Sequence, residues 1–500
     1  MGFDYLWLSN GLGFSSNPWD KTGKIFDGEN YHPEKLAETK SRVFAFWKLF
    51  RKACPDIPVE VRGTNNSVGI DYSSDGVPLW DIYNAGLGIT ATPNSPWAAI
   101  NGNYGLEIMG HMSRICELPG DNFPFRYYLH DPWWINSPWY DRYDGTPCDI
   151  YMPAMISRIT KSGKVESANT LNLLSIDNSY GELPDACANE AIPHLLKAEK
   201  NAPDEPAPIV WVYPMREYTT ADGEAELREM NEGDSFICDA INDGFPLCCV
   251  TSTEAFVNHT ASIYKKSVIL SPIPKSPVVL KKLHEISDRG IGIIIYGKEE
   301  DLENSALPEN SVKICTTDSP KKLREALSAF GYSIRFSKRD EAAKIPTITA
   351  SRYDGAIMFS VCSANTTTDT ELKFPLGAPI LIGIDAEIKN GFSSYRFARS
   401  EHRECRIFVK QNDGVITCRE SAPVNTRYRR SIHITGLKNA TVRFFTESGR
   451  ECSITRLRGD WTPSFELPIK RDIDEQFGEY IYCENVSGEL YFIIGHKNTL

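Results

Sequence analysis

Apolar residues recur in short runs from residue 3 to about 200, and each run closes on a polar segment marked by Gly, Pro or Asn. Runs at 3–8, 59–62, 88–91, 125–129 and 171–176 have the length and composition of buried strands. Between them, residues 33–53 repeat Leu36, Val43, Phe46, Trp47 and Phe50 at roughly helical spacing, and 75–83, 104–116, 150–159 and 188–200 also read as helices. The strands end in loops such as Ser9-Asn10-Gly11, Pro93-Asn94-Ser95 and His130-Asp131-Pro132. Repeated strand–loop–helix units of this size predict parallel strands joined by right-handed crossovers. The expectation for residues 1–200 is therefore a (β/α)8-type barrel with its functional loops after the strand carboxyl ends. Only five strands are visible, so the barrel is expected to lack its first strands. Met1 is either a true start or an internal methionine of a longer protein.

The Pro-rich stretch NAPDEPAP, residues 201–208, reads as a linker. The pattern then restarts with strands at 209–213, 247–251, 267–270 and 292–296, and helices from Glu224, at 277–288 and at 320–329. Short apolar strands between helices predict a doubly wound α/β domain over 208–336. It carries neither a GxGxxG nor a phosphate-loop signature, and no nucleophile elbow, so a structural role is expected for it, as an oligomer contact or a wall over the barrel mouth. Residues 214–218, PMREY, follow its first strand and are placed to reach a site. From about residue 337 the period changes to alternation, with strands at 345–350, 355–361, 370–374, 406–410, 414–418, 431–435, 440–446 and 480–484. Turn signals such as Asn412-Asp413-Gly414 separate several of them. This predicts a C-terminal β-sandwich region over 337–500, of one or two modules.

Composition narrows the function. The chain has 500 residues and a formal charge of −12, which argues against a nucleic-acid or anionic-membrane partner. No apolar run is long enough to span a bilayer. Without a signal peptide in the given chain, a cytoplasmic location is expected. The 13 cysteines are odd in number and irregularly spaced, which predicts buried free thiols rather than a disulfide framework or a zinc site.

The chemistry concentrates in residues 123–145, FPFRYYLHDPWWINSPWYDRYDG. Trp133, Trp134, Trp139 and Tyr140 stand there between Asp131 and the group Asp141, Arg142 and Asp144. A tryptophan face in a loop is costly unless it covers something. A sugar ring fits: its C–H face stacks on indole, and its hydroxyls bond to carboxylates and Arg. The competing reading is a cluster of tryptophans that plugs the end of a barrel. Acids at strand ends are the second filter. Asp131 and Asp177 stand there, with Asp71 and Glu182 a little further into their loops. Glu60 shares a strand face with Arg62 and reads as half of an interior ion pair. Paired carboxylates suit glycoside hydrolysis, with Asp131 as nucleophile or base and Asp177 or Glu182 as proton donor. Asn10, Arg62, Asn65, Asp71, Trp97, Trp133, Trp134, Trp139, Tyr140 and Asp141 are the expected substrate-binding set. His130-Asp131 with Asp141 and Asp144 offers oxygen ligands of the kind Ca²⁺ takes, but no regular DxDxDG loop is present. No cofactor and no metal are expected.

A barrel, then a doubly wound domain without its own nucleophile, then a β-sandwich resembles the order in family 42 β-galactosidases and related clan A glycoside hydrolases. The resemblance is one of architecture and covers most of the chain. It implies a carbohydrate substrate and homo-oligomer contacts through an amidotransferase-like domain. The family places an Asn-Glu pair at the end of its fourth strand, where this chain has Ser9-Asn10-Gly11, and a Glu at the end of the seventh, where it has Asp131. Either the acid pair has moved, or the protein is a catalytically silent carbohydrate-binding or scaffold protein of the same fold.

Overall fold

The computed structural model describes residues 6–8, 11–13, 21–62, 66–92, 103–121, 123–130, 147–175, 185–338, 345–363, 368–397, 400–421, 430–457 and 463–496. The chain divides into two compact units, residues 1–323 and 324–500. Each is mixed or β-rich in a way its sequence pattern explains.

In the first unit, β1 (Leu6–Leu8), β2 (Val59–Arg62) and β3 (Ile89–Thr92) form a parallel sheet in that order. A separate parallel pair joins β4 (Pro124–His130) to β7 (Thr170–Ser175). These five strands match the five sequence runs. Among the described residues they make a three-stranded and a two-stranded sheet, not a closed barrel. The helix Leu36–Ala53 buries Leu36, Val43 and Trp47, a stripe at helical spacing, and Trp47 Nε1 donates to the Leu12 carbonyl at 3.0 Å.

Two expected helices differ. The one expected over 75–83 is two helices, Val68–Asp75 and Leu79–Asn84, because Gly76 takes φ 68 and ends the first in a left-handed cap. The one expected over 150–159 stops at Ala154, and β5 (Ser157–Ile159) follows. Arg158 fixes that strand: it donates to the carbonyls of Ile115 and Leu118 at 3.1 and 2.6 Å and pairs with Glu166 of β6 (Val165–Ser167) at 2.9 Å.

The larger sheet of this unit has seven strands. Its parallel part contains β8 (Ile209–Tyr213), β9 (Cys249–Ser252), β10 (Val268–Pro272), β11 (Ile293–Gly297) and β12 (Val312–Cys315), in the order β12-β11-β10-β8-β9, continued by β5 and β6. All residues of β8, β9 and β11 are buried, as expected of parallel strands covered on both faces. Because β5 and β6 extend this sheet, the hydrogen-bonded ladder runs across the Pro-rich stretch 201–208.

The second unit is antiparallel β. Its strands join one 14-stranded hydrogen-bonded network, centred on the long strands Arg430–Phe444 and Gly478–His496. The two short strands expected at 431–435 and 440–446 are one strand, carried through register shifts between Ile434 and Val442. The strand Ser333–Lys338, ahead of the expected boundary at 337, pairs with Thr368–Lys373 in this unit.

Candidate functional site

Parallel pairing aligns strand ends. In the β4–β7 pair His130 is opposite Ser175, so the chain leaves both strands at the same edge, one residue before Asp131 and two before Asp177. The register shifts between Tyr128 and His130, a β-bulge at Leu129 at the very end of β4. Bulges are over-represented next to active sites, where they re-aim the chain. β1, β2 and β3 are likewise aligned, with Leu8 opposite Val61 and Arg62 opposite Thr92. The segments holding Asn10, Asn65 and Trp97 therefore leave from a common edge too.

Asn10, Asn65, Trp97, Asp131, Trp133, Trp134, Trp139, Tyr140, Asp141, Asp177 and Glu182 themselves lie outside the described residues. Arg62 is the last residue of β2 and is placed by its backbone alone. Asp71 is half-buried in the first turn of the helix Val68–Asp75, where an acid complements the helix dipole. Its charge acts on buried Arg114, whose guanidinium burial holds below its usual pKa while Asp71 pulls it back up.

The start of the helix that follows β2 rests on buried polar groups from elsewhere in the chain. Arg114 Nη1 donates to the Asn66 carbonyl at 2.7 Å. Three amides at the helix start are each taken by a side chain. Val68 N donates to Ser113 Oγ at 3.1 Å, Gly69 N to the Tyr213 hydroxyl at 2.8 Å, and Ile70 N to Ser67 Oγ at 3.0 Å. A helix N-terminus satisfied in this way is anchored rather than open to an anion.

The anchor ends on Asp234, fully buried in the helix Glu224–Asn242. Its Oδ2 accepts from Ser67 at 2.5 Å and from Tyr213 at 2.9 Å, and Oδ1 accepts from Tyr218 at 3.5 Å. Burial pushes the carboxyl up to about 7 against the opposing pull of the three hydroxyls. Gly69 is required here, since a Cβ on it lies 2.5 Å from Asp234 Oδ2 and 2.8 Å from Tyr218 Cε2. No periodicity signals this network, because its members are single polar residues spread over 67–234.

His111, on the helix Tyr104–Ile115, is buried, and neither ring nitrogen has a hydrogen-bond partner among the described residues. Burial, then Arg114, depress its pKa, so it is neutral. Its ring meets Phe123 edge-on at 5.9 Å, which is a packing role. Among the described residues no group of three or more His, Cys, Asp or Glu is arranged to hold a metal ion, and no helix is long and apolar enough to cross a membrane.

No family model and no curated protein matches the sequence. Among solved structures, an apo GH42 exo-carrageenase from Bacteroides ovatus is similar with TM-score 0.40 and 9% identity over 75% of this chain. The chain spans 56% of that enzyme's length. A catalytic mutant of a GH42 β-galactosidase from G. stearothermophilus gives TM-score 0.23 and 10% identity over 93% of this chain and 68% of its own. The catalytic module of a family 98 glycoside hydrolase from Streptococcus pneumoniae gives 0.21 and 10% over 95% and 90%. At such scores no residue of those enzymes maps onto a residue here.

Proposed function

We propose that this chain is a carbohydrate-active protein of glycoside hydrolase type, acting at the carboxyl edge of its first parallel strands. The observation that supports the reading is the β4–β7 register, with His130 opposite Ser175. Neighbouring strands lie about 4.8 Å apart. Acids carried just beyond two adjacent strand ends therefore leave the sheet close together, as a pair of glycosidase carboxylates must, whose separation is roughly 5–5.5 Å for retention and about 6.5–9.5 Å for inversion. In this reading Asp131 is the nucleophile or base and Asp177 or Glu182 the proton donor, while Trp133, Trp134 and Trp139 give the sugar its stacking faces. The buried anchor from Ser67 to Asp234 holds the start of the helix that follows β2. The three-part division of the chain, the barrel and the oligomer contact belong to the same proposal.

A panel of aryl glycosides tests it, assayed with the wild type and with Asp131→Asn, Asp177→Asn and Glu182→Gln. Hydrolysis of at least one glycoside, lost by about 10³-fold or more in Asp131→Asn, is the expected result; general acid–base and nucleophilic roles are each worth factors of this order. Hydrolysis that persists in Asp131→Asn removes the catalytic assignment. Absence of hydrolysis with retained glycan binding favours a silent carbohydrate-binding protein.

A further inference from the structure

The strand order β9-β8-β10-β11-β12 has a consequence that does not depend on the glycan site. The chain leaves β8 for β9 on one side, whereas β10, β11 and β12 build out on the other. In open α/β sheets such a switch point leaves a crevice outside the strand carboxyl ends, and ligands bind there. A cavity of about 310 Å³ occupies this place, between the segments that follow β8, β10 and β11. It sits at the small end of ligand pockets, with room for a small metabolite.

Its charges are sorted by element. The β8 side, through the helices Met215–Tyr218 and Glu224–Asn242, contributes Glu217, Glu226, Glu229 and Glu232. The β10 and β11 side contributes Lys275 and Lys298. Lys275 bridges the two, 3.1 Å from Glu229 and 3.8 Å from Glu226. Glu217 accepts the Thr253 hydroxyl at 2.7 Å and has no cation beside it among the described residues. Lys298 has no carboxylate beside it there either, and both are half-buried. On Lys298's side the helix Pro277–Asp288 begins at Ser276, whose side chain makes no cap, so its first amides are left to another acceptor. Tyr218, Met230, Val279 and Tyr296 also line the cavity.

We infer that this cavity binds a small zwitterion of the amino-acid class. Its ammonium meets Glu217, its carboxylate meets Lys298 and the start of the helix Pro277–Asp288, and its apolar body lies on Tyr218 and Tyr296. A dianion such as a nucleotide phosphate meets an excess of carboxylates and no Gly-rich loop. A dication faces the positive charge of Lys298, unpaired among the described residues. One group of each sign satisfies both walls.

Three probes of one chain length separate these cases: 6-aminohexanoate, 1,6-diaminohexane and adipate, with leucine as a zwitterion of shorter charge spacing. Binding is measured by calorimetry on the full chain. Either zwitterion is expected to bind at least tenfold more tightly than both the diamine and adipate. Glu217→Gln and Lys298→Gln are each expected to weaken it by tenfold or more, and Ser276→Trp to abolish it by filling the mouth. A far-ultraviolet spectrum and melting curve verify that each variant is folded. Ser276 makes no cap, so its replacement serves if the charge variants do not fold. Tighter binding of the diamine or of adipate overturns the inference. So does zwitterion binding that Ser276→Trp leaves unchanged, and so does the failure of both zwitterions to bind. None of these outcomes bears on glycoside hydrolysis.

Discussion

Ser67 serves two partners that lie far apart in the chain: its hydroxyl donates to Asp234, 2.5 Å away across 167 residues, while its oxygen accepts the Ile70 amide at 3.0 Å. One side chain thus starts the helix after β2 and neutralises the polarity of a buried carboxyl. Ser67→Ala removes both bonds at once. A lost N-cap costs about 1 kcal/mol, and a lost hydrogen bond to a buried acid about 1.5–3 kcal/mol. A total loss near 3 kcal/mol is expected in urea unfolding. In the Asp234→Asn background the same change is expected to cost markedly less, since the pair is coupled. Equal costs in both backgrounds separate the cap from the carboxyl.

Asp234 sets a pH dependence. Its pKa is raised to about 7 in the fold, chiefly by burial, against an ordinary value of 3.8. Between these values the folded state holds a proton that the unfolded state has released, so stability falls as pH rises from about 4 to 7. Above the folded pKa the dependence is flat. The full difference is on the order of 4 kcal/mol. Asp234→Asn cannot titrate, and the gap between variant and wild-type stability curves is expected to change over this window and level off above it. Parallel curves from pH 4 to 8 contradict the assignment.

Gly69 is set against the same carboxyl. An added methyl meets Asp234 Oδ2 at 2.5 Å, Tyr218 Cε2 at 2.8 Å and Met230 Cγ at 2.9 Å, none of them free to withdraw from a packed core. Gly69→Ala is expected to lose about 1–3 kcal/mol, the cost of overpacking. The usual helix preference for Ala over Gly predicts a gain instead, so the sign of the change in melting temperature decides between them.

Where a run of like residues spelled out an element, the sequence was readable. Ile209–Tyr213 and Ile293–Gly297 are continuous apolar runs buried on both faces, and Pro277–Asp288 opens on a proline at the first helical turn. Elements whose stability comes from a distant partner were not readable. The strand Val165–Ser167 holds only Val as an apolar residue and exists because Arg158 reaches Glu166. Val312–Cys315 is a short, mostly half-exposed strand that gains its amide partners from β11. The site divides in the same way. Strand-end acids such as Asp131 follow from a boundary, whereas the Ser67–Tyr213–Asp234 anchor depends on three isolated polar residues meeting in space. The cavity at the β8–β10 switch was hidden because its charges come from four segments, and strand order is not written in periodicity.

The tryptophans after β4 offer the last test. If Trp133, Trp134 and Trp139 stack on sugar, at least one has a solvent-facing ring, and its fluorescence shifts when an oligosaccharide binds. Its replacement by Ala is then expected to weaken binding by about 1–3 kcal/mol, the scale of a lost aromatic contact, with the melting temperature nearly fixed. If they fill the end of the parallel strands instead, each truncation costs about 3–5 kcal/mol of stability, as for any buried aromatic. The two accounts differ in sign across two measurements on the same three variants. Aromatic rings in a binding wall are felt by the ligand and hardly by the fold, and rings in a plug the reverse. A large stability loss at all three positions with unchanged glycan affinity therefore removes the stacking role, and with it the reason for an acid and four aromatic residues to share one loop.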